Sequence, residues 1–447
     1  MIKAAKEEIS YKRVWSLAWP IVLANITIPL IGATNIAVVG RMNSPTYIGA
    51  VALGVVVLQC IYWSFAFLRK GTTGITAQAY GAGDMQGVFA ALVRSLLIAF
   101  SLGILVTLLQ VPIAKIAFWI LDGSAEVEKL AQEYFYIRIW GSVATMGNYV
   151  MLGWFYGIQK PKTALAFRVA MNVLNIPLAI FLVLTLELGV VGAAWAALIS
   201  HAFVFILSSL IALWIMYEEL MKAEGFDWSF LDQVKDKVRL VKVFKINGDI
   251  FVRTVLVFIA FSWFTGEAAK QGDIVLAANT VLLNLFWFIS YALDGFSNAA
   301  ETLVGQALGA QKKAMFNKAV LVSTQMAGFF SILFLLSYYF GGELFISLLT
   351  NLEEVKSLAL EYLPWLIFMP IVGIWCFQLD GIYIGVTQTR IMRNMMLVSF
   401  IVYAIAIIFL PKLMGNHGLW LALYLFMLVR AFTLWLPYEK MKQELFV

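Results

Sequence analysis

VALGVVVLQCIYWSFAFL, residues 51–68, contains no charged side chain. A strand of an outer-membrane barrel alternates apolar and polar residues over about ten positions. This run does not alternate, and as a helix at about 1.5 Å per residue it crosses most of a hydrocarbon layer about 30 Å thick. Working outward, apolar runs bounded by charge, Gly or Pro recur twelve times, near 14–39, 47–69, 88–110, 130–157, 163–185, 191–216, 246–266, 274–299, 316–340, 357–386, 394–411 and 417–437. The fold class expected is an all-α membrane protein with twelve transmembrane helices.

Composition agrees. Of 447 residues, 62% are hydrophobic and 13% charged, against about 25% charged in soluble domains, and mean hydropathy is +0.87. These values exclude a soluble enzyme surface, a nucleic-acid-binding protein, a disordered chain and a secreted disulfide scaffold. Cys60 and Cys376 lie in apolar runs and read as small buried hydrophobes. No signal peptide is visible and an uncut first span is expected to follow the N-terminus at once. No HExxH, GxSxG, P-loop or Cys/His cluster is present, so no cofactor and no metal is expected.

Lys and Arg concentrate at both termini and in the even-numbered loops; the odd-numbered loops hold few. The positive-inside bias puts both termini in the cytoplasm. The longest polar connection, 217–245, carries Lys222, Lys235, Lys237, Arg239, Lys242 and Lys245. It also separates two related halves. TAQAYGAGD (76–84) aligns with VGQALGAQK (304–312), and LGWFYGIQKPK (152–162) with DGIYIGVTQTR (380–390), both at an offset of 228. Each half holds six spans, so the halves face the same way and relate by a pseudo-two-fold axis along the membrane normal. The expected domains are an N-lobe, 1–216, a cytoplasmic linker, 217–245, and a C-lobe, 246–447. That is the plan of a transporter with its cavity between two six-helix lobes.

Ionisable residues inside spans are costly and mark sites. The second half supplies Asp380, whose neighbour Gly381 lets another backbone approach, and Asp294 and Glu301, seven apart on one helix face. Glu301 is either a solvated helix end or an ion-pair partner. Asp249 and Arg253, four apart, read as an intrahelical salt bridge. Arg138 and Arg430 are the other arginines within spans. The first span has no acid. Its amides Asn25 and Asn35, and Pro20 and Pro29, which free the carbonyls of Ser16 and Asn25, mark a helix able to bend. Asn172 and Asn175 share a face of the fifth span, as site residues or as interhelical hydrogen-bonding groups. His201 reads as core. Phe286, Trp287 and Tyr291 could line an amphipathic cavity, as could Trp63, Phe65, Phe67 and Phe288; lipid contact is the alternative.

Eight stretches resemble, in order, the multidrug and toxic compound extrusion (MATE) family, in its bacterial DNA-damage-inducible F branch: NITIPLIGATNIAVVG (25–40), FLRKGTTGITAQAYGAGD (67–84), VMLGWFYGIQ (150–159), VAMNVLNIPLA (169–179), NGDIFVRT (247–254), YALDGFSNAAETLVGQALGA (291–310), WCFQLDGIYIGVTQTRIMRN (375–394) and GNHGLWLAL (415–423). The resemblance implies an antiporter, not an enzyme. It would export small organic cations or amphipathic drugs in exchange for H+ or Na+, as a monomer in the bacterial inner membrane. It implies a first-half coupling site at Asn35, Asn172 and Asn175; the in-span acids Asp294, Glu301 and Asp380 complete the candidate coupling set. A flippase for lipid-linked sugars, from the same superfamily, would call for a more basic cavity. Relatives usually carry Asp at the position of Asn35 and at that of Ala179. Either coupling here runs through the second-half acids, or the amide stands where substitution removed an acid. In the second case transport is expected to be poor and Asn35→Asp to strengthen it. Asn35 is expected to reach Asn172 or Asn175.

Overall fold

The structure, a computed structural model, describes residues 8–27, 30–42, 45–121, 124–221 and 230–446. All regular structure among them is helical: α1 (Tyr11–Ile26), α2 (Leu30–Val39), α3 (Pro45–Ser64), α4 (Phe67–Gly81), α5 (Met85–Leu108), α6 (Gln110–Leu121), α7 (Ala125–Arg138), α8 (Ser142–Gly157), α9 (Pro161–Ile180), α10 (Gly189–Met221), α11 (Phe230–Lys235), α12 (Lys237–Lys270), α13 (Asp273–Gly309), α14 (Lys313–Leu349), α15 (Glu353–Gly385), α16 (Thr389–Trp435) and α17 (Tyr438–Leu445). Nine helical stretches among the described residues are long and apolar enough by themselves to cross a membrane. Three further features bring the count to twelve. The α7–α8 rod, joined through the 3-10 turn Ile139–Gly141, is the fourth span. The charged helix α12 is the seventh. The segment α16 is two spans, divided at Gly415, whose backbone is non-helical at φ 57°.

Several expected boundaries fall short of the helix ends. The second span runs on as α4 to Gly81, the eighth to Gly309, and the seventh starts at Lys237 rather than 246. Hydropathy follows apolar side chains, whereas these helices continue on polar residues, which α13 keeps buried as far as Leu308. The connection 217–245 is likewise partly helical. There Phe230 packs edge-on to Phe89 at 6.4 Å, and Arg94 Nη1 donates to the Gln233 carbonyl at 3.0 Å. Lys222 lies outside the described residues.

The internal repeat is written into the backbone. Left-handed residues occur at Gly83 and Gln311, Gln159 and Thr387, and Glu187 and Gly415, each pair 228 apart. The helix ends around them close with the same bonds. Lys160 N donates to Phe155 O at 2.8 Å and Gln388 N to Tyr383 O at 2.9 Å; Asp84 N to Ala79 O and Lys312 N to Ala307 O both measure 3.0 Å. These are the Schellman-type closures that satisfy terminal carbonyls. Helix crossings repeat too. A Cβ on Gly153 would lie 2.3 Å from the Arg69 carbonyl oxygen, and one on Gly381 would lie 2.4 Å from that of Ser297. Only glycine permits either approach.

The chain forms two compact units. One comprises Leu23–Tyr80 and Asp84–Phe244; the other comprises the residues up to Val22, Gly81–Gly83 and Lys245–Val447. The start of α1 therefore belongs with the second-half helices, which the linear division at 216 does not show. Tyr11 Oη donates to Gln325 Oε1 at 2.6 Å, Arg13 Nη2 to Gln306 Oε1 at 3.1 Å, and Trp15 stacks on Phe330 at 5.3 Å. Gly295 leaves room for Val22. In the second-half unit α13 packs against α14 and α15, around a core that includes Phe264, Phe286, Leu366, Tyr403 and Trp420.

Candidate coupling site

Asp380 lies on α15, 2% exposed. One carboxylate oxygen, Oδ2, accepts hydrogen bonds from both Arg253 of α12 and Arg430 of α16. The three side chains tie three helices together through charge-assisted bonds, the strong class in an apolar interior. Gly381 beside it seats α15 against the Ser297 backbone of α13. Asp380 thus faces the interior of its unit, as its cost in hydrocarbon demands.

The local pairing of Asp249 with Arg253 is not made. Asp249 instead accepts from Arg393 Nη1 at 2.7 Å and Thr389 Oγ1 at 3.0 Å, both on α16. Two buried charges four residues apart each found a better-placed partner on another helix. Glu301 is fully buried, which rules out the solvated-end reading: α13 continues two turns beyond it. Its carbonyl oxygen is the atom nearest a Cβ built on Gly385, at 2.3 Å. Asp294, half-buried, accepts from Asn298 Nδ2 at 3.2 Å.

The first half gathers amides where the second has charges. Asn35 of α2 and Asn175 of α9 are both 0% exposed, and neither side-chain nitrogen nor oxygen of either has a hydrogen-bond partner among the described residues. Asn172 Nδ2 donates to the Arg168 carbonyl at 3.1 Å and to that of Thr27 at 3.5 Å. The direct bond expected from Asn35 to Asn172 or Asn175 is therefore absent. The reach of Asn172 is spent on backbone instead. The helix α1 runs through Pro20 and ends at Ile26, and α2 resumes at Leu30; Pro29 lies outside the described residues.

His201 Nδ1 donates to the Ala197 carbonyl at 2.8 Å, a local bond that fits its core reading. Cys60, by contrast, is exposed on α3; Cys376 is buried. Phe286 is core, stacked on Phe261 at 5.6 Å, and Trp287 packs on the same ring at 4.9 Å. Tyr291 is half-buried. Sequence reasoning missed the partnership of Arg253 and Arg430 with Asp380. The available signal was an in-span acid without a local partner in the same half as two in-span arginines. It also missed a buried bracket in which Asn279 and Asn416 exchange hydrogen bonds at 2.6 and 3.0 Å while Trp420 Nε1 donates to Asn279 Oδ1 at 2.9 Å.

The MatE family model matches residues 20–181 and 251–410, one block in each half. The DNA damage-inducible protein F of Escherichia coli K12 is 37% identical over 95% of this chain and 91% of its own length. A probable multidrug resistance protein NorM of Photorhabdus laumondii is 24% identical over 95% of this chain and 94% of its own. Among solved structures, that of a MATE protein in the bent conformation superposes with a TM-score of 0.85 at 20% identity, covering 97% of this chain and 96% of that one.

Proposed function

We propose, from the premise that this chain belongs to the MatE family of membrane transporters, that it exports cationic or amphipathic organic compounds in exchange for protons taken up through second-half carboxylates. One observation carries the reading. Among the described residues, the buried carboxylates are Asp249, Glu301 and Asp380, all in the second half. The interior of the first half offers the amides Asn35, Asn172 and Asn175, which cannot exchange a proton.

Asp380 gives proton binding a mechanical consequence. The ionised carboxylate holds α12 and α16 to α15 through two guanidiniums. A proton on it removes the charge they share and loosens both helices at once. Glu301 and Asp294, on α13 beside this triad's helix, supply further sites on the same path. Exchange then requires only that the proton and the substrate favour different conformers. The protein would work in the cytoplasmic membrane of a bacterium, with both termini inside.

The test is dye efflux from proteoliposomes with the proton and sodium gradients collapsed one at a time. Efflux should stop when the pH gradient is collapsed and persist without sodium. Glu301→Gln and Asp380→Asn should each lose at least tenfold at normal protein levels. Undiminished pH-driven efflux in both variants would sink the assignment, and sodium-driven efflux would replace the proton with Na+.

A further inference from the structure

We infer that the first half of the chain holds a binding site for a monovalent anion, centred on Arg138. The α7–α8 rod places this residue mid-span, roughly 20 Å along from Ala125 at 1.5 Å per residue. It is 6% exposed, and its Nε and Nη1 atoms are buried with no hydrogen-bond partner among the described residues. Five arginines among those residues are buried: Arg13, Arg94, Arg138, Arg253 and Arg430. Four of them have an oxygen to bond. Arg13 meets Gln306 Oε1, Arg94 the Gln233 carbonyl, and Arg253 and Arg430 the Asp380 carboxylate. Arg138 is the exception.

Among the described residues no carboxylate bonds to this guanidinium. Tyr62 Oη reaches the Arg138 carbonyl at 3.3 Å and Ser142 Oγ at 3.2 Å, which engages the backbone and leaves the guanidinium alone. The charges acting on His201 come from Arg138 and Arg168, and those acting on Tyr149 from Arg168 and Arg69; none is a carboxylate. A lysine or histidine in such a place could shed its proton, but a guanidinium cannot. Leaving a charge uncompensated in an apolar interior is strongly unfavourable. A mobile counter-ion resolves the imbalance.

Gly141, in the 3-10 turn after α7, has no side chain, and the point where its Cβ would sit is 3.5 Å from Arg138 Nη1 and 3.7 Å from Leu198 Cγ of α10. The guanidinium therefore faces Leu198 of α10 beside a residue that has no side chain. Its planar donors suit a halide, a small carboxylate or the phosphodiester of an anionic lipid. The second half has no such feature: the residues at the same repeat positions are Leu366 and Met369, both fully buried in the core.

Thermal unfolding of the purified protein in neutral detergent tests this. At constant ionic strength, replacing gluconate with chloride or formate should raise the Tm by several degrees and saturate. A parallel arm compares nanodiscs of phosphatidylglycerol and phosphatidylcholine; a response confined to that arm assigns the site to a lipid headgroup. Arg138→Met should abolish whichever response the wild type shows. Leu198→Glu places a carboxylate beside the guanidinium, and should raise the Tm in gluconate while removing the anion response. No response of the wild type in either arm overturns the site. So does an undiminished response in Arg138→Met or, where that variant does not fold, in Leu198→Glu.

Discussion

The two halves of this chain share a backbone and differ in what they bury. Left-handed turns, helix closures and glycine crossings recur at one offset of 228. Yet the positions equivalent to Arg253, Asp380 and Arg430 are Asn25, Leu152 and Ala202, so the charged triad has no twin. Conversely, Asn35, Asn172 and Asn175 correspond to Trp263, Phe400 and Tyr403. There Trp263 meets Tyr403 edge-on at 6.4 Å, and Tyr403 Oη donates to the Ala260 carbonyl at 2.7 Å. The same positions carry packed rings in one half and, in the other, amides of which Asn35 and Asn175 have no hydrogen-bond partner among the described residues. The backbone repeats while the interior chemistry differs, and one scaffold can carry unlike chemistries in that way.

The largest effect should come from breaking the triad. Asp380→Leu, which installs the residue of the first half, leaves two guanidiniums buried without their carboxylate and should cost about 3–5 kcal/mol, read as a large drop in Tm in detergent. Installing all three first-half residues together, Arg253→Asn, Asp380→Leu and Arg430→Ala, should recover much of that stability, because removing the whole set strands no charge. Proton-driven efflux should not return. A triple variant as unstable as Asp380→Leu would show that packing, not charge, holds this site.

The sequence announced some of this and hid the rest for identifiable reasons. Twelve spans and the repeat were legible because hydropathy and glycine positions are local patterns. The isolation of Asp380 among apolar residues was legible too, but its partners were not. Arg253 sits one helical turn from Asp249, so spacing argued for a local pair. The true partners lie on other helices, brought there by tertiary packing. The solvated-end reading of Glu301 arose because the apolar run fades near residue 299 while α13 runs to Gly309. The empty hydrogen-bonding of Asn35 and Asn175 has no sequence signature, since it depends on what their neighbours fail to offer.

The shared scaffold itself is open to a matched pair of substitutions. Gly153→Ala and Gly381→Ala each drive a methyl into a backbone carbonyl on a neighbouring helix. Overpacking of that kind costs about 1–3 kcal/mol. The two losses of stability should agree within experimental scatter if the crossings are equivalent. A loss confined to Gly381 would mean that only the triad's half depends on the close approach.

A smaller effect, of opposite sign, is expected at Asn175. A buried polar group without a partner costs about 1–3 kcal/mol, and leucine resembles asparagine in size and branching. Asn175→Leu should therefore raise the Tm modestly. If the amide serves the transported ligand, efflux should fall in the same variant. A lower Tm would show that Asn175 is bonded in the membrane after all, and the contrast with Tyr403 would narrow to one of side-chain size.

The smallest structural change carries the sharpest functional contrast. Asn35→Asp replaces an amide with a nearly isosteric acid, so stability should move little. What changes is titration: the amide holds one pattern of donors and acceptors at every pH, whereas an acid can take up and release a proton. If the first half drives exchange, the variant should gain severalfold in proton-driven efflux. If the second-half carboxylates suffice, the initial rate under a fixed pH gradient should stay within about twofold, since a tenfold change would need about 1.4 kcal/mol of barrier. We expect the second result, because Glu301 and Asp380 are buried and ionisable in the chain as it stands. Combining Asn35→Asp with Glu301→Gln makes the contrast decisive: efflux that survives the pair but not Glu301→Gln alone would mean that the first half can take over the drive, and that the two interiors remain interchangeable despite their divergence.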